Sequence, residues 1–173
     1  KILILGASGF IGSNLTKNLL KKNYEVYGTS RKKINLKKKN FYNIILDVKK
    51  KKDFNKLSKK KFNFIVYLAA FTRPSSSISK KKEAFNTNIE GLRNTINYFK
   101  RSTPKSKFIF ISSSAVYEGL KIKKNIIEKY NLPMQKTPYG ISKYRSEKLL
   151  FKFCKNNKII IVKPFAIIGA DKK

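Results

Sequence analysis

The sequence predicts an α/β protein with a doubly wound parallel sheet. Short apolar runs rich in β-branched and aromatic residues alternate with longer amphipathic stretches along the chain. The runs are apolar throughout, as expected for parallel strands covered on both faces. A glycine-rich segment directly follows the first run. Six strands are expected, over residues 2–5, 25–28, 43–46, 64–68, 108–112 and 159–163.

Helices are predicted where apolar residues recur at helical spacing between these strands. A further helix is expected over residues 139–153, whereas the Lys-rich crossover 31–42 has poor helical patterning. Polar loops are predicted at residues 74–79 and at 119–138, and the second would border a substrate pocket. The apolar positions are Ile11, Leu15 and Leu19 after the first strand, and Phe85, Ile89, Leu92 and Ile96 after the fourth.

The length and apolar content predict a single domain over residues 1–173. The chain has 173 residues, of which 41% are hydrophobic, enough for one sizeable core and too few for two ordinary domains. It begins directly in a strand-like run without an initiator Met and stops just after another apolar run. We therefore expect that both ends are cut.

The net charge of +32 comes almost entirely from lysine, since only five of the 41 basic residues are Arg. A charge of this size ordinarily indicates nucleic acid or an anionic membrane as partner. Lys, Asn and Ile are all heavily used, however, and their codons are A/T-rich. The Lys runs also lack the interleaved aromatic residues of a base-stacking surface. We interpret the charge as a composition bias and expect no specific nucleic acid and no membrane partner.

Cysteine and histidine usage excludes several chemistries. Cys154 is the only cysteine and there is no histidine, so an intramolecular disulfide is impossible and zinc or histidine general-base chemistry is disfavoured. No metal is expected. No apolar run reaches the ~18–20 residues that span a bilayer, and no signal peptide precedes the first strand. The sequence thus predicts a cytoplasmic protein.

The segment Gly6-x-x-Gly9-x-x-Gly12 predicts a dinucleotide site. The first glycine permits a tight turn, the second lets the backbone approach a pyrophosphate, and the third allows close packing of helix on strand. The following helix would direct its N-terminus at the phosphates. A glycine-rich segment also occurs in ordinary turns that bind no ligand. Its placement here between an apolar strand and an amphipathic helix favours a dinucleotide site.

A second motif joins Tyr139 and Lys143, four residues apart. This spacing places both side chains on one helix face, where the ammonium would lower the pKa of the phenol. Tyr139 would then serve as an acid/base near neutral pH. An aromatic helix residue beside one solvated lysine among many is the alternative. Pro138, Gly140 and Ser142 around the pair, with a serine run upstream, favour the catalytic interpretation.

Together these motifs resemble the short-chain dehydrogenase/reductase superfamily, specifically its extended branch of nucleotide-sugar epimerases, dehydratases and reductases. The resemblance covers essentially the whole chain and implies a Rossmann-type fold. Lys163-Pro164-Phe165 is similar to the family's Arg-Pro-Phe-Asn, although Ala166 replaces the Asn and puts one substrate contact in doubt. The other ordered matches are Asp47-Val48, Leu68-Ala69-Ala70, Asn88-Ile89-Glu90-Gly91 and Ser112-Ser113-Ser114-Ala115-Val116-Tyr117.

The resemblance also implies roles for particular residues. Tyr139 would be the acid/base, Lys143 would bind the nicotinamide ribose, and Ser113 would hydrogen-bond the reacting oxygen, with Ser112 and Ser114 still possible. Asn88 and Ser114 would contact substrate, although Asn88 as an ordinary polar helix residue and Asp47 as a strand-end cap are alternatives. The implied cofactor-binding residues are Gly6, Gly9, Phe10, Ile11, Gly12, Arg31, Asp47, Val48, Leu68, Ala69, Ala70, Tyr139, Lys143 and Pro164.

The end of the second predicted strand indicates NADP in preference to NAD. An acid ~20 residues beyond the glycines would bind the ribose 2′-hydroxyl of NAD, and the segment 27–32 contains none. Arg31 and Lys32 stand there instead and suit a 2′-phosphate. Arg31 carries more weight because lysines occur throughout the chain.

The resemblance implies an NAD(P)-dependent nucleotide-sugar enzyme. Dehydratases of the family usually carry Asp-Glu directly after the catalytic Ser/Thr, where this chain has Ser114 and Ala115. An epimerase or a 4-keto reductase is therefore favoured. A reductase of non-sugar carbonyls and a non-catalytic dinucleotide- or RNA-binding module are the alternatives. The family further implies a substrate lobe C-terminal to residue 173 and a possible homodimer that pairs through the Tyr139 helix.

Overall fold

The computed structural model describes residues 1–57, 60–72, 78–119, 135–153, 159–165 and 167–169. Within these residues six strands form one sheet in the order β3-β2-β1-β4-β5-β6, and every neighbouring pair is parallel. The predicted doubly wound parallel sheet is confirmed. The strands are β1 Ile2–Leu5, β2 Val26–Ser30, β3 Phe41–Ile45, β4 Phe64–Tyr67, β5 Lys107–Ile111 and β6 Ile159–Val162.

The helices occupy the predicted crossovers, with two exceptions. No helix forms between β2 and β3, as the poor patterning of that crossover indicated. Between β3 and β4, the described residues form a 3-10 helix, Lys51–Leu57, and no α-helix. Three segments run on without a break before β5, and the middle one is π-helical. The helices are α1 Phe10–Lys21, α2 Lys81–Phe85, the π-helical segment Asn86–Glu90, α3 Gly91–Ser102 and α4 Pro138–Phe153, with a 3-10 helix Ser114–Tyr117 after β5.

Alternate residues of the central strands face opposite sides of the sheet. In β1, Leu3 and Leu5 belong to the larger core cluster, which also contains Leu92 of α3 and Leu150 of α4. Ile2 and Ile4 belong to a smaller cluster, against which residues of α1 pack. The central strands are thus covered on both faces, and their apolar runs reflect this burial.

The two edge strands do not follow this prediction. Tyr42 and Ile45 of β3 are 44% and 50% exposed, and Ile160 and Val162 of β6 are 50% and 41% exposed. The expectation that all six runs are covered on both faces is wrong for these two strands within the described residues. An apolar run reports strand propensity, whereas coverage depends on which helix lies over the strand, and that is a property of the tertiary fold.

The chain reverses its winding direction at β1, which has β2 on one side and β4 on the other. Leu5, the last residue of β1, is in register with Thr29 of β2 and with Tyr67 of β4. Ligands of doubly wound sheets bind beyond the carboxyl ends of the strands at such a reversal. We therefore expect the ligand of this protein beyond the carboxyl ends of β1, β2 and β4.

Several sequence predictions lie outside the described residues. They concern the loop residues 74–77, most of the irregular segment 119–138, Cys154 and Ala166. In the part of the chain that the structure describes, no helix is both long and apolar enough to cross a membrane.

Candidate functional site

A cleft of about 520 Å³ opens at the carboxyl ends of β1, β2 and β4. It brings together eleven of the predicted cofactor-binding residues, from the glycine turn, the ends of β2 and β3, and the segment after β4. The cleft also contains residues that sequence reasoning did not select, among them Ser8, Thr29, Lys49, Glu83 and Thr87. The predicted residues on its wall are Gly6, Gly9, Phe10, Ile11, Gly12, Arg31, Asp47, Val48, Leu68, Ala69 and Ala70.

Gly6 and Gly12 allow backbone segments to approach where a side chain would not fit. Gly6 has φ of +93°, and a Cβ there would lie 2.8 Å from the backbone nitrogen of Ala69. A Cβ on Gly12 would lie 2.3 Å from the carbonyl oxygen of Gly6. The tight turn predicted for Gly6 and the close helix packing predicted for Gly12 are both present in the structure.

Gly9 differs from its two neighbours in the motif because space remains around it. It is the N-cap of α1 with extended backbone, φ −73° and ψ 170°. A Cβ there would meet only the Gly6 carbonyl oxygen, at 3.4 Å. In this fully described segment no side chain caps the helix and its first turn carries no acidic residue. The helix N-terminus therefore faces the cleft with amides that can bind phosphate, which fits a dinucleotide pyrophosphate.

The far end of the cleft is formed by Asp47 and Val48 after β3 and by Arg31 after β2. The Asp47 carboxylate accepts a hydrogen bond from the backbone N–H of Lys49 at 3.0 Å, and its own N–H donates to Asp53 at 2.9 Å. Asp47 therefore shapes the turn after the strand and also lines the cleft. The exposed side chain of Arg31 is available at the rim.

Hydrogen bonds hold the first turn of helix α4 against the turn that follows Ser113. Thr137 caps the helix, since its hydroxyl accepts the Gly140 N–H at 3.0 Å and Pro138 follows as the first helical residue. The Glu118 carboxylate accepts hydrogen bonds from the backbone N–H groups of Lys136 and Thr137, at 3.1 and 2.9 Å. A Cβ on Gly140 would lie 2.8 Å from this carboxylate and from the Ala115 carbonyl oxygen. The helix start is thus held against the turn that bears Ser113.

Tyr139 and Ser113 meet at the carboxyl end of β5. Tyr139 is 8% exposed, and the Ser113 side chain lies within hydrogen-bonding reach of its phenol. Burial raises the pKa of Tyr139 above its ordinary value, and the hydrogen bond with Ser113 opposes that rise. The expected depression of this pKa is therefore wrong for the arrangement in this structure, because desolvation of the phenolate is the larger effect.

Lys143 lies on the same face of α4, but its ammonium is engaged elsewhere. Nζ donates to the Ile111 carbonyl oxygen at 2.7 Å and lies 5.0 Å from the Phe110 ring centroid and 6.0 Å from that of Tyr139. The side chain is buried, and burial lowers the pKa of Lys143 to about 8, an effect that Glu147 opposes. The predicted pair is on one face as expected, whereas the contact that would lower the pKa of the phenol is not made.

The structure separates the three candidate serines. Ser112 is buried and donates its hydroxyl hydrogen bond to Glu147, so it is not available to a substrate. Ser114 begins the 3-10 helix, and its N–H donates to the Pro164 carbonyl oxygen at 2.9 Å. Ser113 is the serine whose side chain acts on the pKa of Tyr139. Pro164, predicted to bind cofactor, does not line the cleft; it connects the ends of β5 and β6 through its carbonyl group.

Asn88 is buried, and its side-chain amide is engaged in hydrogen bonds within the protein. It is 2% exposed, its Oδ1 accepts the Phe71 N–H at 2.7 Å, and its Nδ2 donates to the Ser142 hydroxyl at 2.7 Å and to the Phe71 carbonyl oxygen at 3.3 Å. Because these bonds engage the whole amide, the structure does not support the predicted substrate contact. Asn88 instead connects the segment after β4 to α4.

Sequence reasoning missed Glu118, Ser142 and Glu147 as parts of the site. Ser142 receives the Asn88 bond and donates to the Tyr139 carbonyl oxygen at 2.7 Å. Glu147 was detectable as the one acidic residue of α4, four positions after Lys143. The role of Glu118 had no signal, because its partners lie 18 and 19 residues away across an irregular segment. In the described chain no cluster of three His, Cys, Asp or Glu side chains forms a metal site.

A profile of the NAD dependent epimerase/dehydratase family matches residues 2–173. The chain belongs to this family. Membership confirms the predicted resemblance to the family of epimerases and dehydratases.

Individual relatives agree with the family assignment. The bifunctional polymyxin resistance protein ArnA of Wigglesworthia glossinidia brevipalpis is 33% identical over 98% of this chain and 27% of its own length. The UDP-glucose 4-epimerase of Caenorhabditis elegans is 30% identical over 99% of this chain and 55% of its own length. The solved structure of the UDP-Glc/GlcNAc 4-epimerase of Campylobacter jejuni superposes with a TM-score of 0.83 at 24% identity, over 94% of this chain and 52% of that one, which supports the fold. The chain thus spans about a quarter to about half the length of these family members.

Proposed function

We propose that this chain provides the dinucleotide site and the catalytic residues of a nucleotide-sugar 4-epimerase or 4-keto reductase. The observation that carries the proposal is the position of the Ser113 side chain within hydrogen-bonding reach of the Tyr139 phenol, with Lys143 on the same face of α4, in a domain whose cleft fits a dinucleotide. A UDP-glucose 4-epimerase among the relatives supports a nucleotide sugar as the substrate class.

When bound, the nicotinamide supplies or accepts a hydride at the sugar carbon. The part of this chain is proton transfer at the oxygen on that carbon. Tyr139 gives or takes that proton through its hydroxyl, and Ser113 holds the oxygen with its own hydroxyl. The phenol needs a nearby cation for this task, because burial raises the pKa of Tyr139. Lys143 is the cation on its helix face.

We further propose NADP as the preferred dinucleotide. Support comes from Arg31, which lines the cleft at the end of β2 and is exposed. A guanidinium binds a phosphate through paired hydrogen bonds, and the 2′-phosphate is the group that NAD lacks.

Epimerase or reductase chemistry is favoured over dehydration. Dehydration would require a further acid and base near the neighbouring sugar carbons. The two residues after Ser113 are Ser114 and Ala115, and neither ionises near neutral pH.

Tyr139→Phe tests the proposal in the full-length protein on a panel of nucleotide sugars. The change removes only the hydroxyl, so we expect folding and dinucleotide binding to persist. Turnover should fall by about 10²–10⁴-fold, the usual contribution of a positioned acid/base. Tyr144→Phe is the matched control. Tyr144 lies on the same helix, and its ring centroid is 4.6 Å from Nζ of Lys148. The substitution should leave turnover unchanged.

Two outcomes would contradict the proposal. Near-parental turnover by Tyr139→Phe on a substrate that the parent converts would remove Tyr139 from the mechanism. A parent that converts non-sugar carbonyls and none of the nucleotide sugars would retain the catalytic residues but replace the substrate class.

A further inference from the structure

Glu147 is a buried carboxylate for which the proposed chemistry has no direct use. It lies on α4 one turn after Lys143 and is 1% exposed. Its Oε1 accepts a hydrogen bond from the Ser112 hydroxyl at the end of β5. Its Oε2 lies 3.3 Å from Nζ of Lys163, which follows β6. One carboxylate therefore connects the catalytic helix to the ends of two strands.

The environment of Glu147 makes this carboxylate energetically costly. Lys163 pairs with Oε2 by charge alone, because that oxygen accepts no hydrogen bond within the described part of the chain. The Lys163 ammonium is itself mostly buried and lies 5.0 Å from the Tyr117 ring. Burial of a carboxylate that is not fully hydrogen-bonded opposes folding. A chain with 9 acidic and 41 basic residues nevertheless has one of its few carboxylates here.

Lys143 and Glu147 meet at the end of β5, where Nζ of Lys143 donates to the Ile111 carbonyl oxygen at 2.7 Å and Glu147 accepts the hydroxyl of Ser112, the next residue. Lys143 is 4% exposed, and the titratable groups nearest to it both belong to its own helix, the neutral phenol of Tyr139 and the carboxylate of Glu147. From β5 it meets the Ile111 carbonyl oxygen and the Phe110 ring. Burial lowers the pKa of Lys143 to about 8, and the Glu147 charge opposes this decrease. The charged groups around Glu147 itself are Lys143 and Lys163.

We propose that Glu147 is a positioning residue that keeps Lys143 protonated in its dry site, that Ser112 holds the carboxylate in place for this purpose, and that Lys163 competes with Lys143 for its charge. The inference deepens the proposed function, on which it rests for the role of Lys143. Without the carboxylate, the buried amine would lose its countercharge and become neutral closer to physiological pH. Tyr139 would then have no cation on its helix face to favour the phenolate.

The test measures the protonation of Lys143 directly in the full-length protein. Competitive labelling with acetic anhydride between pH 6 and 11, read by mass spectrometry of the peptide that contains Lys143, gives the pH midpoint of its reactivity. In Glu147→Gln this midpoint should fall by about one to two pH units, the size of effect expected from loss of one nearby opposite charge. Glu90→Gln is the control, because Glu90 is 52% exposed and pairs with Arg93 at the surface. It should leave the midpoint unchanged.

Lys163→Met provides a second variant with the opposite expected sign. Removal of this competing cation should raise the midpoint of Lys143, while Lys163→Arg keeps the charge and should leave it in place. A folded Glu147→Gln protein with the parental midpoint would overturn the proposal. Should that variant fail to fold, a Lys163→Met protein without a raised midpoint overturns it instead.

This readout is independent of substrate and dinucleotide. A midpoint that moves as expected while Tyr139→Phe retains turnover would support the role of Glu147 and reject the proposed function. An unchanged midpoint in Glu147→Gln together with an inactive Tyr139→Phe protein would reject the role of Glu147 and support the proposed function. A purely structural role for Glu147 would alter stability and leave the midpoint of Lys143 where it is.

Discussion

In the half of the sheet formed by β1, β2 and β3, the candidate site consists mostly of backbone, whereas the half formed by β4, β5 and β6 relies on buried polar side chains. On the first side, Gly6 and Gly12 bring backbone atoms together, and a bare helix N-terminus faces the cleft. On the second, Asn88, Ser142 and Glu147 are each at most 2% exposed and hydrogen-bonded. The backbone side is suited to a pyrophosphate, which is the same in every dinucleotide. The side-chain side is suited to the proton transfer proposed for this enzyme.

The two sides also differ in how far apart their partners are in the sequence. The close contact between Gly6 and Gly12 joins residues within one short segment. Asn88 and Ser142 are 54 residues apart, and Ser112 and Glu147 are 35 apart. A substitution on the backbone side should thus act through local sterics, and one on the side-chain side through charge and long-range contacts.

The largest effect is expected from Gly12→Val, which places a side chain in the close contact between Gly12 and the Gly6 backbone. A Cβ there would lie 2.3 Å from the Gly6 carbonyl oxygen, and neither backbone segment can move without disturbing the turn. We expect the free energy of unfolding to fall by about 3 kcal/mol or more, at or beyond the upper end for overpacking. Urea denaturation of the full-length protein measures the loss.

Gly9→Val is the matched comparison within the same turn. Its Cβ has space, so stability should change by about 1 kcal/mol or less, as for an unfavourable N-cap residue. Dinucleotide binding, measured by calorimetry, should nevertheless be lost, since the side chain fills the position where the pyrophosphate approaches the backbone. Equal destabilisation by the two variants, or unaltered dinucleotide affinity of Gly9→Val, would contradict the assigned division of roles among the glycines.

The sequence sufficed to predict the backbone side, for a physical reason. A turn that needs φ > 0 at Gly6 and close packing at Gly12 imposes glycine at fixed local spacing, so the motif can be recognised without tertiary information. Tyr139 and Lys143 were likewise found from helical spacing. Their electrostatics were not, because burial raises the pKa of Tyr139 and the Lys143 ammonium bonds to Ile111. Desolvation and the choice of partner depend on contacts that the spacing does not contain.

Asn88 illustrates the same limit. Its place in an ordered family-like segment predicted a substrate contact, whereas the structure engages its amide with Phe71 and Ser142. The π-helical segment that contains it, Asn86–Glu90, has no sequence signature that we recognised. Edge exposure of β3 and β6 was missed for a related reason, since strand propensity does not say which helices cover a strand.

A change of charge on the side-chain half should alter the pH dependence of stability. The folded-state pKa of Lys143, about 8, lies below the ordinary lysine value of ~10.4, so between these pH values the unfolded chain binds more protons. The free-energy cost of burying the protonated Lys143 side chain is fully present below about pH 8 and disappears as the pH rises toward ~10.4. Stability of the parent should therefore rise across this window by on the order of 3 kcal/mol from this residue.

Lys143→Met should lack that rise. Urea denaturation of parent and variant at several pH values from 7 to 10.4 measures the difference between their stability curves, in which the contributions of other lysines cancel. Lys148→Met is the control, since Lys148 is exposed on the same helix. It should follow the parent at each pH. Parallel curves for Lys143→Met and the parent would mean that Lys143 is not desolvated as the structure indicates.

The smallest effect is expected from Arg31→Ala, which tests whether a side chain adds selectivity to the backbone side. Arg31 lines the cleft next to the glycine turn, and loss of a charge-assisted hydrogen bond to a 2′-phosphate should cost about 1.5–3 kcal/mol of NADP affinity. NAD affinity should change little, because NAD has no group there for the guanidinium to bind. Lys32→Ala, at the next exposed position, is the control and should affect both dinucleotides only slightly. Calorimetry with the two dinucleotides separates the possibilities. Equal losses of NAD and NADP affinity would assign Arg31 to the shared part of the ligand, and the backbone side would then carry no selectivity between the two.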